Sequence, residues 1–382
     1  MFRRLCPKSY SVRQRSHGLQ LAAFALTAAM TFSTVQAEGP AGKPPPTPAA
    51  SAHAATLESD RPQTPLCIYH VGFDDLAYVA ALGFNCVTYM FKPDARGMSD
   101  GDRAFFNRAR SVGLFVLPEF SWHLRRGTLE NLPILAAEVG RDPATMAFYV
   151  ADEPSYWKIP SAHVATACEL VRRAAPVHPC FALDIRDKAS SLVESVDIVG
   201  LDHYPVMWPD RSYGFPSARR DSLASVGRYV DTVVRSAQGK PVWVAIQAHR
   251  PPANRDYPNP RYPTPEELRA MTFLAMNNGA DGLLFYAWND NTKENPGLVA
   301  ALPGIIRDVV SLAPAYREGR IERGVEAGEL DAVTLRLRDT EVHVVVNPAA
   351  RALADPRPVS QRRQIQPFEV RIERVSSPGD SR

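Results

Sequence analysis

Phe148-Tyr149-Val150-Ala151-Asp152-Glu153-Pro154 is an apolar run of strand-forming residues that stops on two carboxylates and a proline. Proline has no N–H to give to a sheet ladder, so the strand must end there. When such a strand belongs to a barrel of parallel strands, acids at its C-terminal end project into the common opening, where catalytic groups collect. The reading therefore turns on whether more strands of the same kind surround it.

They recur on both sides. Between Leu66 and about Arg317, short apolar runs alternate with helix-like stretches. Eight strands are predicted: Cys67–Val71, Cys86–Met90, Leu114–Glu119, Ala147–Asp152, Cys180–Asp184, Ile198–His203, Val242–Gln247 and Gly282–Ala287. Each is nearly continuous in apolar character, as parallel strands covered on both faces are. The intervening helices carry their own punctuation. Thr264-Pro265-Glu266-Glu267 has a capping threonine, a proline at the first helical position and a glutamate placed to close a capping box. Ser99 with Asp102, and Ser161, open two more helices, while Gly83, Gly113 and Gly279 close helices that feed the next strand. Eight units in this length predict an α/β fold, a (β/α)8 TIM barrel. A doubly wound open sheet uses the same units, but no glycine-rich phosphate loop follows the first strand.

The barrel occupies residues 66–318 of a 382-residue chain. Arg3, Arg4, Lys8, Arg13 and Arg15 precede an apolar run from Leu19 to about Phe32 and the small residues around Val35-Gln36-Ala37. This reads as a signal peptide over residues 1–37, with an uncleaved anchor as the duller reading. Its removal takes five basic residues and no acid, so the formal charge falls from +3 to −2. Nothing in that balance points to nucleic acid, and no stable membrane insertion is expected once the signal is cleaved. Residues 38–65, rich in proline and alanine, read as a disordered linker. Residues 319–382 change texture, with strands predicted at Ala332–Arg338, Glu341–Val346 and Phe368–Ile372, and form a small β module with a tail. Four cysteines remain in the exported chain, and Cys168 with Cys180 is the first pair to expect among the possible pairings.

The strand ends are rich in acids and aromatic rings. They offer Tyr89; Glu119 with Trp122; Asp152 and Glu153; Asp184; Asp202, His203 and Tyr204; Gln247 and His249; and Tyr286, Trp288 and Asp290. Cleaving an acetal needs a proton donor and a second carboxylate. Flat aromatic faces suit the C–H faces of sugar rings, and acids and amides pair with hydroxyls.

The chain resembles the (β/α)8 glycoside hydrolases, particularly those of clan A. There the fourth strand ends in Asn-Glu-Pro and its Glu is the acid/base; Asp152-Glu153-Pro154 matches with Asp for Asn. Val199-Gly200-Leu201-Asp202-His203-Tyr204-Pro205 and the stretch from Gly279 to Trp288 are similar to the sixth and eighth strands of such barrels. One departure stands out. The clan's seventh strand ends in a nucleophilic Glu, and here that place holds Gln247.

The resemblance implies a glycoside hydrolase acting on a poly- or oligosaccharide without a cofactor, and the signal peptide implies its export, to the periplasm or outside the cell. Glu153 is its general acid, and Asp202 or Glu119 the assisting carboxylate. Asp152, Tyr89, Trp122, His203, Tyr204, Gln247, Trp288 and Asp290 are expected to contact the sugar, with Asp290 also a reserve for the second carboxylate. A non-catalytic carbohydrate-binding barrel is the alternative that Gln247 invites. A metal-dependent hydrolase is the third, although no His-x-His or His-Glu-x-x-His spacing is present and no metal ligand is predicted.

Overall fold

The computed structural model describes residues 62–92, 94–207, 223–253, 260–323, 329–337, 340–355 and 364–376. The signal peptide, nearly all of the expected linker and the Pro-rich stretch 208–216 lie outside these.

Eight parallel strands close into a barrel in sequence order. They are β1 Leu66–Ile68, β2 Cys86–Met90, β3 Phe115–Glu119, β4 Phe148–Asp152, β5 Cys180–Ile185, β6 Ile198–Asp202, β7 Val242–Gln247 and β8 Gly282–Tyr286. Every expected strand is present, and β2 and β7 have the expected bounds. The first is shorter than expected, because His70 takes a left-handed backbone (φ 55°) that an extended run cannot contain.

Helices follow the strands: α1 Leu76–Ala81, α2 Asp100–Ser111, α3 Ser121–Arg126, α4 Leu132–Val139, α5 Ser161–Ala174, α6 Ala224–Ser236, α7 Pro265–Asn277 and α8 Pro296–Glu318. The capping boxes of Ser99 with Asp102 and of Thr264 with Glu267 form as expected. Ser161 does not cap: Pro160 holds that position and the helix begins at Ser161 itself. The longer helices present an apolar stripe to the barrel. In α6 the stripe is Val226, Val230 and Val233, and in α8 it is Leu298, Leu302, Ile305, Ile306, Val309 and Leu312.

Period-two alternation divides the core into two layers. Cys67, Tyr69, Phe115, Leu117, Tyr149, Phe181, Leu183, Trp243, Ala245 and Leu284 fill the barrel interior. The residues between them pack outward against the helices. A Cβ added at Gly200 would come within 2.7 Å of both Leu183 and Phe181, and one at Gly282 within 2.7 Å of the Trp243 ring. Glycine at both places is what lets the Trp243 and Phe181 rings fit inside. Two disulfides brace the shell. Cys67–Cys86 joins directly paired residues of β1 and β2, and Cys168–Cys180, the expected pair, ties α5 to β5.

The C-terminal region adds β9 Arg320–Arg323, β10 Asp331–Arg336, β11 Thr340–Val346 and β14 Val370–Ser376 as an antiparallel sheet, with the short pair β12 Leu353–Ala354 and β13 Gln364–Ile365 beside it. Strand β9, absent from the sequence reading, forms the edge. Val333, Leu335, Val342, Val344 and Val346 join the helix-layer core. Asp331 fastens the module to the end of α7, accepting from Asn277 Nδ2 at 2.6 Å and Asn278 Nδ2 at 2.8 Å.

Candidate active site

Strand phase decides which side chains reach the mouth. In β3, Phe115 and Leu117 point inward, so Glu119 does too; in β6, the inward phase of Ile198 and Gly200 carries Asp202 with it. Strand β4 breaks the rule. Its register against β5 slips between Tyr149 and Ala151, so that Asp152, not Ala151, pairs with inward-facing Leu183. Such a bulge re-aims a side chain at the cost of one unpaired residue. Glu153 follows with a left-handed backbone (φ 46°), a strained choice for glutamate that turns it off the strand axis. The Glu153 N–H still pairs with Leu183 O at 2.8 Å. Bulge and turn together bring two consecutive acids to one opening.

The acids differ in what holds them. Asp152 accepts from the Tyr149 hydroxyl at 2.7 Å and from Arg125 Nη2 at 2.6 Å. The same Arg125 nitrogen also donates to the Asp152 carbonyl at 3.0 Å. The Arg125 guanidinium lies over the rings of Trp157 at 4.4 Å and Trp122 at 5.2 Å, a cation–π contact on each. Glu153 is half-buried and shares a side-chain hydrogen bond with fully buried Asp202. Burial raises both carboxyls and the Asp152 charge raises them further, while the bond between them raises Asp202 and lowers Glu153, so the pair retains a proton above the usual carboxylate range. Asp202 Oδ1 is buried with no partner among the described residues. Glu119 lies deeper, accepts from the Ser121 hydroxyl, and is pushed up to about 7 by burial and by the Asp152 charge. Asp184 faces sideways and takes Ser155 N at 3.1 Å and Ser155 Oγ at 2.5 Å, fixing the turn after Pro154.

Across the opening, His70 Nδ1 lies 2.6 Å from Asp290 Oδ2, and burial together with Asp290 raises the nearby Tyr286 hydroxyl. Burial works against a charged His70, but Asp290 outweighs it and the imidazole is raised; Asp290 is held below its ordinary value, chiefly by the His70 hydrogen bond. Tyr204 packs 5.2 Å from His249 and 5.8 Å from Tyr286. Burial lowers His249 to about 4, and its Nδ1 has no partner among the described residues.

Four expected contacts are turned elsewhere. Tyr89 falls on the outward phase of β2, where its ring packs on Phe105 at 4.4 Å and its hydroxyl donates to Asp102. His203, one residue past inward Asp202, faces α6, with Nε2 2.5 Å from Ser225 Oγ; burial lowers it to about 3. Trp288 donates to Asp75 Oδ2 at 2.8 Å and packs in the helix layer. Gln247 has the inward phase but is fully buried and committed: its Oε1 accepts from Val206 N at 2.9 Å and its Nε2 donates toward His249 O at 3.4 Å. Trp122 stays at the rim, with Nε1 2.9 Å from Met90 Sδ.

Further residues complete the site beyond the expected sugar contacts, Tyr286 among them as a strand-end residue already read from the sequence. Tyr69 and Tyr149 line the floor with their hydroxyls 3.3 Å apart. His70 holds Asp290 beside Tyr286, and Arg125 holds Asp152. Tyr156 and Trp157 stand 64% and 46% exposed beside the acids. Counting strand phase from the interior residues would have found Tyr69; the others depend on loops. Among the described residues, no group of three His, Cys, Asp or Glu side chains is arranged to hold a metal ion.

Residues 165–310 match the model of a glycoside hydrolase family described as β-galactosidase (Glyco_hydro_42). That segment runs from α5 into α8 and includes Asp202, Gln247 and Asp290. No curated protein matches the sequence. Among solved structures, the β-galactosidase of the psychrophilic Marinomonas ef1 superimposes with a TM-score of 0.51 at 10% identity, covering 66% of this chain and 60% of that one. A family 5 glycoside hydrolase of Bacteroides vulgatus gives 0.54 at 14% identity, over 76% and 78% of the two chains. The cyclic α-maltosyl-(1→6)-maltose hydrolase of Arthrobacter globiformis gives 0.51 at 12%, over 80% and 88%.

The chain resembles the (β/α)8 glycoside hydrolases, clan A in particular.

At these identities the structures speak for the fold, and the chain spans less than two thirds of the Marinomonas enzyme. The segment matched by the glycosidase family model carries β6, β7 and β8, whose ends border the gathered acids. Asp152-Glu153-Pro154 stands at the end of β4, where the clan carries its acid/base. Gln247 stands at the end of β7, its amide consumed by backbone partners.

Proposed function

We propose that the protein hydrolyses a glycosidic bond in an oligo- or polysaccharide, with Glu153 giving the proton to the leaving oxygen. One observation carries the reading: Glu153 sits half-exposed in the mouth, hydrogen-bonded to Asp202, on a strained backbone that aims it there. A general acid must hold a proton and reach substrate; burial and the Asp152 charge raise Glu153, and its half-exposed place at the mouth gives access. Asp202 is the buried member of the pair and keeps the shared proton available to Glu153. Asp152 adds negative charge near a developing oxocarbenium ion. Trp157, Tyr156 and Trp122 offer flat faces for sugar rings at the rim, with Arg125 holding Trp157 and Trp122 in place. The N-terminal signal pattern and the two disulfides support export to an oxidising compartment.

The test is hydrolysis across a panel of aryl glycosides and oligosaccharides, starting with β-galactosides. Glu153→Gln is expected to lower kcat by about 10²–10⁴-fold on substrates with poor leaving groups while sugar binding persists. Unchanged turnover in that variant would remove Glu153 from the chemistry.

A second reading has a specific observation behind it. Gln247 is locked by Val206 N and His249 O at the place where clan A keeps its nucleophile. A carbohydrate-binding barrel without catalysis has the same appearance, and wild-type binding with no turnover on any glycan would favour it. Activity lost to a chelator and restored by a divalent ion would favour a metal-dependent hydrolase instead.

A further inference from the structure

We propose that the leaving group of the substrate is itself a sugar, bound by a rim strip of Met90, Trp122, Arg125, Trp157 and Tyr156. The inference rests on the hydrolase reading above, with Glu153 as acid, and names the ring that this acid releases.

The strip is continuous from the end of β2 to the turn after β4. Trp122 Nε1 donates to Met90 Sδ at 2.9 Å. The Arg125 guanidinium lies 5.2 Å from the Trp122 ring and 4.4 Å from the Trp157 ring. The Tyr156 ring stands 5.2 Å from that of Trp157, edge to face. Met90, Tyr156 and Trp157 each leave a large part of the side chain in solvent. Single exposed apolar residues are ordinary, but neighbouring ones beside a cleft mark a binding surface.

The strip is held in place before any ligand arrives. Trp157 N donates to Glu153 O at 3.2 Å and Ile159 N to Pro154 O at 2.8 Å, winding the chain after β4 into a tight turn. Buried Asp184 pins that turn through the backbone N–H and hydroxyl of Ser155. Arg125, its side chain only 12% exposed, is anchored by Asp152 Oδ2 and the Asp152 carbonyl. Rings fixed in advance lose little freedom when a flat sugar face stacks on them. The turn begins at Glu153 itself, so the proton donor and the platform belong to one short loop.

Two rings flank the oxygen that Glu153 protonates. The ring whose bond breaks at the anomeric carbon develops positive charge and needs acids around it. The leaving ring stays neutral and has to be let go. The strip suits the second. It offers faces for stacking, and its one charged member, Arg125, is positive and already paired with Asp152. A cation there opposes charge on a ring turning positive but costs a neutral ring nothing.

Glycosyl fluorides supply the test, because their leaving group is a single atom and cannot stack. For a sugar that wild type releases from an oligosaccharide, kcat/KM is measured on that oligosaccharide and on the matching fluoride. Trp157→Ala is expected to lower the oligosaccharide-to-fluoride ratio about tenfold, mainly through KM. Trp157→Phe, which keeps a ring, should lower it much less, and Tyr156→Ala should lower it in the same direction. A ratio unchanged in both alanine variants overturns the assignment while the hydrolase reading stands. So does a wild type that cleaves fluorides and aryl glycosides but no oligosaccharide. No turnover of any of these substrates by wild type overturns both.

Discussion

The carboxyl of Glu153, half-buried just past the end of β4, is hydrogen-bonded to that of Asp202, buried at the inward end of β6. Two acids in one hydrogen bond cannot both ionise cheaply, so they titrate as a pair. The more exposed member meets substrate and the buried one keeps the proton at hand.

Asp202→Asn should move the alkaline limb of kcat/KM to lower pH. The amide still donates an N–H to Glu153 and stabilises its ionised form, so Glu153 loses its proton earlier as pH rises. A pH–rate profile against wild type measures this. A limb that stays in place would mean that Asp202 has no hold on the acid.

Glu119 ties stability to pH. Its folded value, about 7, lies above its ordinary one. The folded state therefore binds the proton more tightly, and that contribution is complete below about 4.5 and is lost as pH rises through 7. Glu119→Gln keeps the shape and removes the titration. Thermal unfolding should show the variant gaining on wild type between pH 5 and pH 8. A constant offset across that range would contradict it.

Gln247→Glu restores the residue type that clan A has at this place, yet it is expected to lower stability by about 1–3 kcal/mol at pH 8. One new oxygen still accepts from Val206 N, but the other replaces an N–H aimed at the His249 carbonyl. Below pH 6 the protonated acid can donate there again, so the loss should shrink. Denaturant titrations at the two pH values read it out.

Removing the Cys168–Cys180 bond by serine substitution at both positions should cost about 2–3 kcal/mol, since the link closes a short loop between α5 and β5. Urea unfolding of the variant measures it. Activity at low temperature should survive, because the bond lies away from the acids.

Much of this was written in the order of residues. Eight apolar runs, each too buried to alternate with polar residues, specify a parallel ring, and their C-terminal acids specify where chemistry gathers. The same period of two, counted from Phe115 or Gly200, separates inward Glu119 and Asp202 from outward His203, and in β2 it sends Tyr89 outward opposite Cys86. Ends of strands alone did not reveal that, which is why Tyr89, His203 and Trp288 were expected in the mouth.

The sequence by itself determined the barrel, the β4 acids and the helix caps, because periodicity, turn chemistry and capping act between neighbours in the chain. Only the tertiary structure decided that a bulge at β4 and a left-handed Glu153 bring adjacent acids to one opening, that Val206 N from the loop after β6 occupies Gln247, and that Arg125 and His70 reach Asp152 and Asp290. Those contacts join residues far apart in the chain, and their energy depends on how loops fold back over the barrel, which no local pattern encodes.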